Sequence, residues 1–491
     1  MDIFKNRFFR GISSFSKYLL VLPTMVILIL ACQKENTFIT SGDAKLEFSQ
    51  DTISFDTIFT TVGSTTKNFR VYNPHKQSIE ISSIYLVGGQ KSNFRINVNG
   101  IESYEVNNIE VRPEDSLYVF VEVTVDPNGN NLPMVIKDSI VFVTNGNSQD
   151  VKLLAYGQDV NLIKGVFYQE DVTWTLDKPY LILDSVWVDS SYTLSIDPGV
   201  QVYLHKNASI VIAGSLQVNG MLENPVTFRG DRLDDILVDL PYDDAPNQWD
   251  RIALLGTSSN NKINYAIIRN ATIGLQTEFT DLELTNTIIR NMSYSGIFSV
   301  YSEIKAYNCV LADCQAGNIN IFLGGKYNFN HVTIANYWGQ TGTQAGQRRI
   351  PSVLLRDWIE IILDDKRQVF TANLEEATFS NSIIYGNFHS EIGFSSFAED
   401  ALFNYNFDNC LIKVHPDSVD ISDPEKFTAI TINKNPEFKD IQSWDYELDT
   451  LSPAMNIGKE AYALEIPFDL NGNSRLNDLG PDVGAYERIE K

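Results

Sequence analysis

Histidine, methionine and cysteine are all scarce in this chain of 491 residues, which has five, six and four of them. The histidines, His75, His205, His331, His389 and His415, are scattered, and none forms a pair at the spacing of a metal site or a catalytic triad. Cys32 stands apart near the N-terminus, leaving Cys309, Cys314 and Cys410, an odd number with no CxxC among them. That rules against a disulfide framework or a zinc site, and small apolar residues filling a repeated core explain them better. Cations are also short: 38 Lys and Arg against 62 Asp and Glu give a net charge of −24. Such a surface repels nucleic acid and suits solubility at a crowded cell surface. There is no P-loop, no Gly-rich dinucleotide turn after a strand and no nucleophile elbow, which argues against nucleotide-dependent or esterase chemistry. Nor does any apolar run reach the roughly 20 residues of a membrane-spanning helix.

The longest apolar run, Tyr18 to Ala31, is broken by Pro23 and Thr24 and follows Lys5, Arg7, Arg10 and Lys17. A basic start before a short apolar core reads as a signal peptide over 1–31. Its end, Ile29-Leu-Ala-Cys32, resembles the bacterial lipobox, which implies a diacylated Cys32 at the mature N-terminus. Multiple acyl chains on one residue anchor stably. The following Gln33-Lys-Glu-Asn36 resembles the Lys-plus-acid signal of surface lipoproteins in Bacteroidetes-type bacteria, with one acid where the fuller pattern has two or more. The expected address is the outer membrane, lipid-anchored and exposed at the cell surface, with a tether over 32–43.

From 44 to 159 the pattern is one of short alternating strands. Leu117, Val119, Val121, Val123 and Val125 interleave with Tyr118, Phe120, Glu122 and Thr124, the period of a strand buried on one face. Asn73-Pro74, Gly88-Gly89, Asn99-Gly100 and Asn145-Gly146 punctuate these runs as turns. The stretch resembles the bacterial immunoglobulin-like modules that follow a lipid anchor, and a β-sandwich is expected.

Beyond 160 the rhythm changes to very short strands cut by Gly or Pro corners, such as Leu194-Ser-Ile-Asp-Pro-Gly-Val-Gln-Val. Asn264, Asn286, Asn308 and Asn330 then each open a strand-like segment, at steps of 22 residues. A fixed step of this size marks a solenoid. A left-handed hexapeptide helix needs coils near multiples of six, and a leucine-rich repeat lacks its leucines here. The segments resemble coils of right-handed parallel β-helix proteins of the pectate-lyase-like fold, so 160–491 is expected to be such a solenoid and the whole chain all-β. Asn tolerates the left-handed backbone of a recurring corner and can pair with the Asn of the next coil. A row of Asn offered to a sugar is the functional alternative. Ile267, Ile288, Val310 and Val332 are expected to form the interior stack beside it.

Insertions at 231–248 and 339–377 interrupt the coils, and insertions in a solenoid frequently form its binding face. The first is acidic, with Asp234, Asp235, Asp243 and Asp244. The segment 444–491 contains Asp469-Leu-Asn-Gly-Asn-Ser-Arg475 and Gly480-Pro-Asp-Val-Gly-Ala-Tyr-Glu487, which resemble the end of the bacterial surface proteins called choice-of-anchor Q. The resemblance implies fold and surface location, with no shared activity, and the segment is expected to cap the solenoid. Asp469, Asn471 and Asn473 alternate like the first ligands of a calcium loop, but Gly472 is misplaced and no Glu sits at the twelfth position. A structural Asx-rich turn is the preferred reading and Ca²⁺ the lesser one.

The motifs of β-helix hydrolases and lyases are missing: no Asn-Thr-Asp, no Gly-His-Gly, and no cationic base beside a trio of acids. The expectation is therefore a structural or binding role, toward extracellular polysaccharide or within an outer-membrane protein complex, with no cofactor. Trp249, Arg348, Arg349 and Trp358 are the candidate ligand contacts. The competing expectation is a polysaccharide lyase or glycoside hydrolase using Asp234, Asp235, Asp243 and Asp244, since glycoside hydrolysis needs paired carboxylates.

Overall fold

A computed structural model describes residues 38–60, 62–127, 134–237, 240–340, 344–397, 400–477 and 479–489. The signal peptide, Cys32 and Gln33-Lys-Glu-Asn36 lie outside the described residues. The chain is all-β and divides into two compact units, one ending at Gly157 and the other covering Gln158 onward together with 127–133. Among the described residues the one α-helix is Glu460–Glu465.

In the first unit ten strands form two five-stranded sheets with antiparallel pairing. One sheet holds the alternating strand Ser116–Val123, whose Leu117, Val119, Val121 and Val123 are buried as its period requires. The other holds the hairpin Met134–Thr144 with Asn147–Gln158. Its turn residues Asn145 and Gly146 have φ of 50° and 82°, the positive values that a two-residue turn matched to strand twist demands. Phe69, Val71, Val119 and Val121 from the first sheet and Ile81, Ile84, Phe142 and Leu153 from the second share a single core.

The second unit is built from parallel strands stacked coil on coil. Each turn of the chain supplies three strands in sequence, here called faces one, two and three. Ile273–Glu278 lies on face one, Asp281–Thr285 on face two and Ile288–Met292 on face three. The next coil repeats this as the two halves of Ser295–Tyr307, then Val310–Cys314. Face three forms an eleven-stranded sheet, and faces one and two together form one of seventeen strands. Inside, Ile268, Ile289, Leu311, Ile334, Ile384 and Ile412 belong to one continuous core. Phe329, Phe379, Phe407 and Phe427 stack with centroids 4.9, 4.8 and 5.3 Å apart, the interval of adjacent strands. Cys309, Cys314 and Cys410 are buried free thiols, and burial pushes Cys309 and Cys410 up to about 12.

The coil repeat differs in phase from the sequence pattern. Asn264 pairs with Thr285, Thr285 with Tyr307, and Tyr307 with Asn330. The left-handed corner residues are therefore Tyr265, Asn286, Asn308, His331, Asn381 and Asn409, with φ from 43° to 53°. Asn264 and Asn330 sit one place earlier, at strand ends. A strand side chain changes face with each residue, so a one-place offset reverses its direction. Ile267, Ile288 and Val310 point outward from face three, in register with Thr333, Ile383 and Leu411, and the offset at Asn330 turns Val332 to the other side. Val332 alone of the four expected interior residues belongs to the interior core.

The outward apolar row is buried by the C-terminal segment. Tyr446, Leu470 and Ala485 pack on Val310, Ala312 and Ala335, while Leu448, Ala454 and Val483 pack on Ile383 and Leu411. The segment runs along the flank of the solenoid across several coils. Its backbone meets the corner row directly: the amides of Asn308, Asn381 and Asn409 donate to the carbonyls of Phe468, Lys459 and Ile457 at 2.8, 3.0 and 3.0 Å.

Candidate functional site

The acidic insertion folds onto a ladder of arginines. Arg269 and Arg290 are in register on face three, and Arg229 stands one coil below. Burial, with the like charge of Arg269 one strand away, lowers the Arg290 guanidinium to about 10. Asp243 answers it, with one oxygen 2.6 Å from Arg229 and the other 2.8 Å from Arg269. Arg290 itself lies against the Trp444 ring, its Cζ 4.1 Å from the centroid. A second asparagine row holds the insertion in place, Asn270 donating to the Asp243 carbonyl at 2.5 Å and Asn291 to that of Asp244 at 2.7 Å. Burial and the neighbouring Asp243 charge raise the Asp244 carboxyl. Asp234 is held by Arg232 through two bonds of 2.7 Å, and Asp235 lies exposed on a short strand. Asp243 thus has both oxygens on guanidiniums, in a place where the fold needs an anion.

The other sequence candidates also separate into anchors and surface groups. Trp249 is buried in the interior core, its indole donating to the Arg269 carbonyl at 2.9 Å. Arg348 is buried in a fork with Glu391 at 3.0 and 2.5 Å and also reaches Ser352 and Asn387, which staples the second insertion to the solenoid. Arg349 is exposed. Trp358 is half-buried at the root of a protruding hairpin, Trp358–Leu363 with Lys366–Thr371. The Asp469 carboxylate accepts from the backbones of Asn471, Asn473 and Glu487 at 2.9, 2.6 and 2.8 Å. Its lone pairs serve the turn that closes the C-terminal segment.

At the corner between faces one and two the geometry is different. Phe279 and Tyr301 occupy successive coils with φ of 52° and 43°, a left-handed conformation costly for a bulky residue. Their rings lie 5.8 Å apart, and Phe279 is 57% exposed. They border an open cleft of about 490 Å³ lined by Asp281, Glu303, Glu375 and Lys326, with Ser258 and Ser259 at one end. Asp281 accepts from the Asn260 N–H at 3.1 Å, and Glu303 and Lys326 pair sideways with Lys305 and Glu376 at 3.1 and 3.9 Å. Polar edges thus surround two fixed rings, an arrangement that suits the apolar face and hydroxyl rim of a sugar. The sequence carries one signal for it: Phe279 and Tyr301 recur at the 22-residue step, in the phase of a corner. A larger cleft of about 580 Å³ lies in the first unit, bordered by Thr52, Val87, Lys91 and Asp138. There Asp138 accepts from the Gly88 and Ser139 N–H groups at 3.1 and 2.7 Å, holding a turn, and no aromatic ring lines the walls.

No family model matches the chain, and no curated protein does. Among solved structures, one similarity is to a family 123 glycoside hydrolase from Clostridium perfringens, described as acting in glycolipid glycan hydrolysis. It has 9% identity and a TM-score of 0.17, covering 24% of this chain and 26% of that one. The chain spans about a quarter of that protein's length. At this level the similarity carries no argument for fold or activity.

Proposed function

We propose that this chain is a lipid-anchored cell-surface protein whose second unit, a right-handed parallel β-helix, binds extracellular glycan without cleaving it. In this reading the first unit is an immunoglobulin-like sandwich. Three stacked faces of parallel strands suit a β-helix, and right-handed crossovers are the rule for parallel strands. Two antiparallel sheets sharing a core suit the sandwich. The observation that carries the binding role is the exposed pair Phe279 and Tyr301, fixed on adjacent coils beside a cleft of carboxylates and hydroxyls. Rings held by strands on both sides lose little freedom on binding, so their stacking surface goes directly into affinity. Membrane attachment through Cys32 and a place in an outer-membrane complex belong to the same proposal.

The test is affinity electrophoresis of the protein through gels containing neutral polysaccharides. Retardation is expected for the native chain and its loss for Phe279→Ala/Tyr301→Ala, with thermal melting unchanged. Equal retardation of the two proteins overturns the site. Release of reducing ends or unsaturated uronides, abolished by Asp243→Ala/Asp244→Ala in a protein that still melts normally, would replace binding by lyase or hydrolase activity.

A further inference from the structure

Around the corner from this cleft, face one carries a second aromatic surface with different chemistry. Tyr294 and Phe298 stand on one coil, Phe322 on the next, Trp358 on the third and Phe397 on the fourth. Their ring contacts form two groups: Tyr294 to Phe298 at 6.2 Å and Phe298 to Phe322 at 4.9 Å, then Trp358 to Phe397 at 6.1 Å. Arg356 fills the interval between Phe322 and Trp358, its Cζ 5.2 Å from one ring centroid and 4.9 Å from the other. The outer rings are open to solvent, Tyr294 at 42% and Phe397 at 62% exposure.

The cation in this row has no carboxylate partner. Arg348 and Arg475 of the same unit have carboxylate partners. Among the described residues Arg356 forms no ion pair, and its Nε is buried with no hydrogen-bond partner. The nearby acid Glu360 is turned to Arg367 at 3.6 Å. The guanidinium lies between two rings with no carboxylate on it, and a guanidinium is the group that forms paired bonds to a carboxylate. The surrounding geometry is rigid: the strand of Arg356 is in register with Ile392–Ser395, and the Trp358 indole donates to Ser395 at 3.0 Å. A preorganised flat cation between two half-buried rings, with the exposed Tyr294 and Phe397 at the ends of the row, is matched by an anion carried on a ring with an apolar face.

We propose that this row is a second binding site, for an acidic oligosaccharide, in which Arg356 pairs with the carboxylate of a uronate residue. Phe322 and Trp358 then carry the sugar rings on either side, along the solenoid axis. The acidic surface does not prevent this. At physiological ionic strength charges more than about 8 Å away are largely screened, while a half-buried pair is screened much less.

The site is tested by calorimetric titration of the full chain in detergent with oligogalacturonate, against the same oligosaccharide with its carboxyl groups reduced to alcohols. The native protein is expected to bind the acid form at least tenfold more tightly. Arg356→Gln and Arg356→Lys should both lose that preference at unchanged melting temperature, since an ammonium cannot reproduce the fork. Trp358→Ala should weaken both forms, and Phe279→Ala/Tyr301→Ala should leave the preference intact, which separates this site from the neutral-glycan cleft. Equal affinity for acid and reduced forms overturns the proposal, as does an undiminished preference in Arg356→Gln. Tighter binding of dextran sulfate or poly-glutamate with the same Arg356 dependence would overturn the assignment to a uronate.

Discussion

Asp313 shows how much a single buried group can make of its setting. It ends a face-three strand in a left-handed corner, with φ of 47°. One oxygen accepts from the Tyr337 N–H at 2.7 Å and the other from the Tyr446 hydroxyl at 2.7 Å, yet burial raises its carboxyl to about 6. A carboxyl whose folded value lies above its unfolded one contributes stability when protonated, and that contribution is lost as pH rises through about 6. His331 acts in the opposite sense: burial and the Arg475 charge hold it well below its usual value, so its contribution is lost as pH falls through the ordinary histidine range. His331 is common to the native protein and to Asp313→Asn, so comparing the two isolates Asp313. The native protein should lose roughly 2 kcal/mol relative to Asp313→Asn between pH 4 and pH 7.5, at 1.36 kcal/mol per pH unit. Urea denaturation midpoints at the two pH values measure it, and a pH-independent difference would refute the assignment.

The corner asparagines are where strands meet the C-terminal segment. Asn286 donates to Asn264 at 2.8 Å and Asn308 to Asn286 at 3.1 Å, so the expected side-chain ladder forms even where the corner has moved by one residue. Asn308 also donates to the Phe468 carbonyl and accepts from the buried Arg475 at 2.9 Å. Asn330, although in phase by sequence, is a strand residue whose Oδ1 has no partner. Asn308→Ala should therefore cost on the order of 3 kcal/mol, combining lost bonds with a left-handed backbone that alanine disfavours. Asn330→Ala removes an unsatisfied buried group and should be close to neutral. Chemical denaturation of the two variants decides it, and equal losses would mean that the 22-residue count, and not the strand register, sets the corners.

For the molecule as a whole, membrane attachment through Cys32 is part of the function proposed above. No helix among the described residues is long and apolar enough to cross a membrane. If Cys32 is acylated, Cys32→Ala should move the protein from the membrane to the soluble fraction, and fractionation after growth with labelled fatty acid reads both changes. Unchanged membrane association without label would remove the lipoprotein reading. The insertions also belong at this level. The acids of 231–248 look like a catalytic reserve in the sequence, but Arg229 and Arg269, which give Asp243 its role, are brought to it only by the stacking of coils.

Local pattern by itself settled the strand-rich composition, the turns, the alternation of Ser116–Val123 and the change from alternating strands to stacked coils, because each depends on residues near one another in the chain. It also showed that a corner recurs about every 22 residues. Tertiary structure alone decided the phase. In the face-three strands Val310–Cys314 and Thr333–Asn336 both sides are buried, one by the interior and the other by the C-terminal segment, so period-2 alternation disappears there and inward cannot be told from outward. The same long-range packing turned Trp249 and Arg348 into anchors and left Phe279, Tyr301 and Arg356 at the surface, since exposure depends on which coil lies alongside and not on the residue's neighbours in sequence.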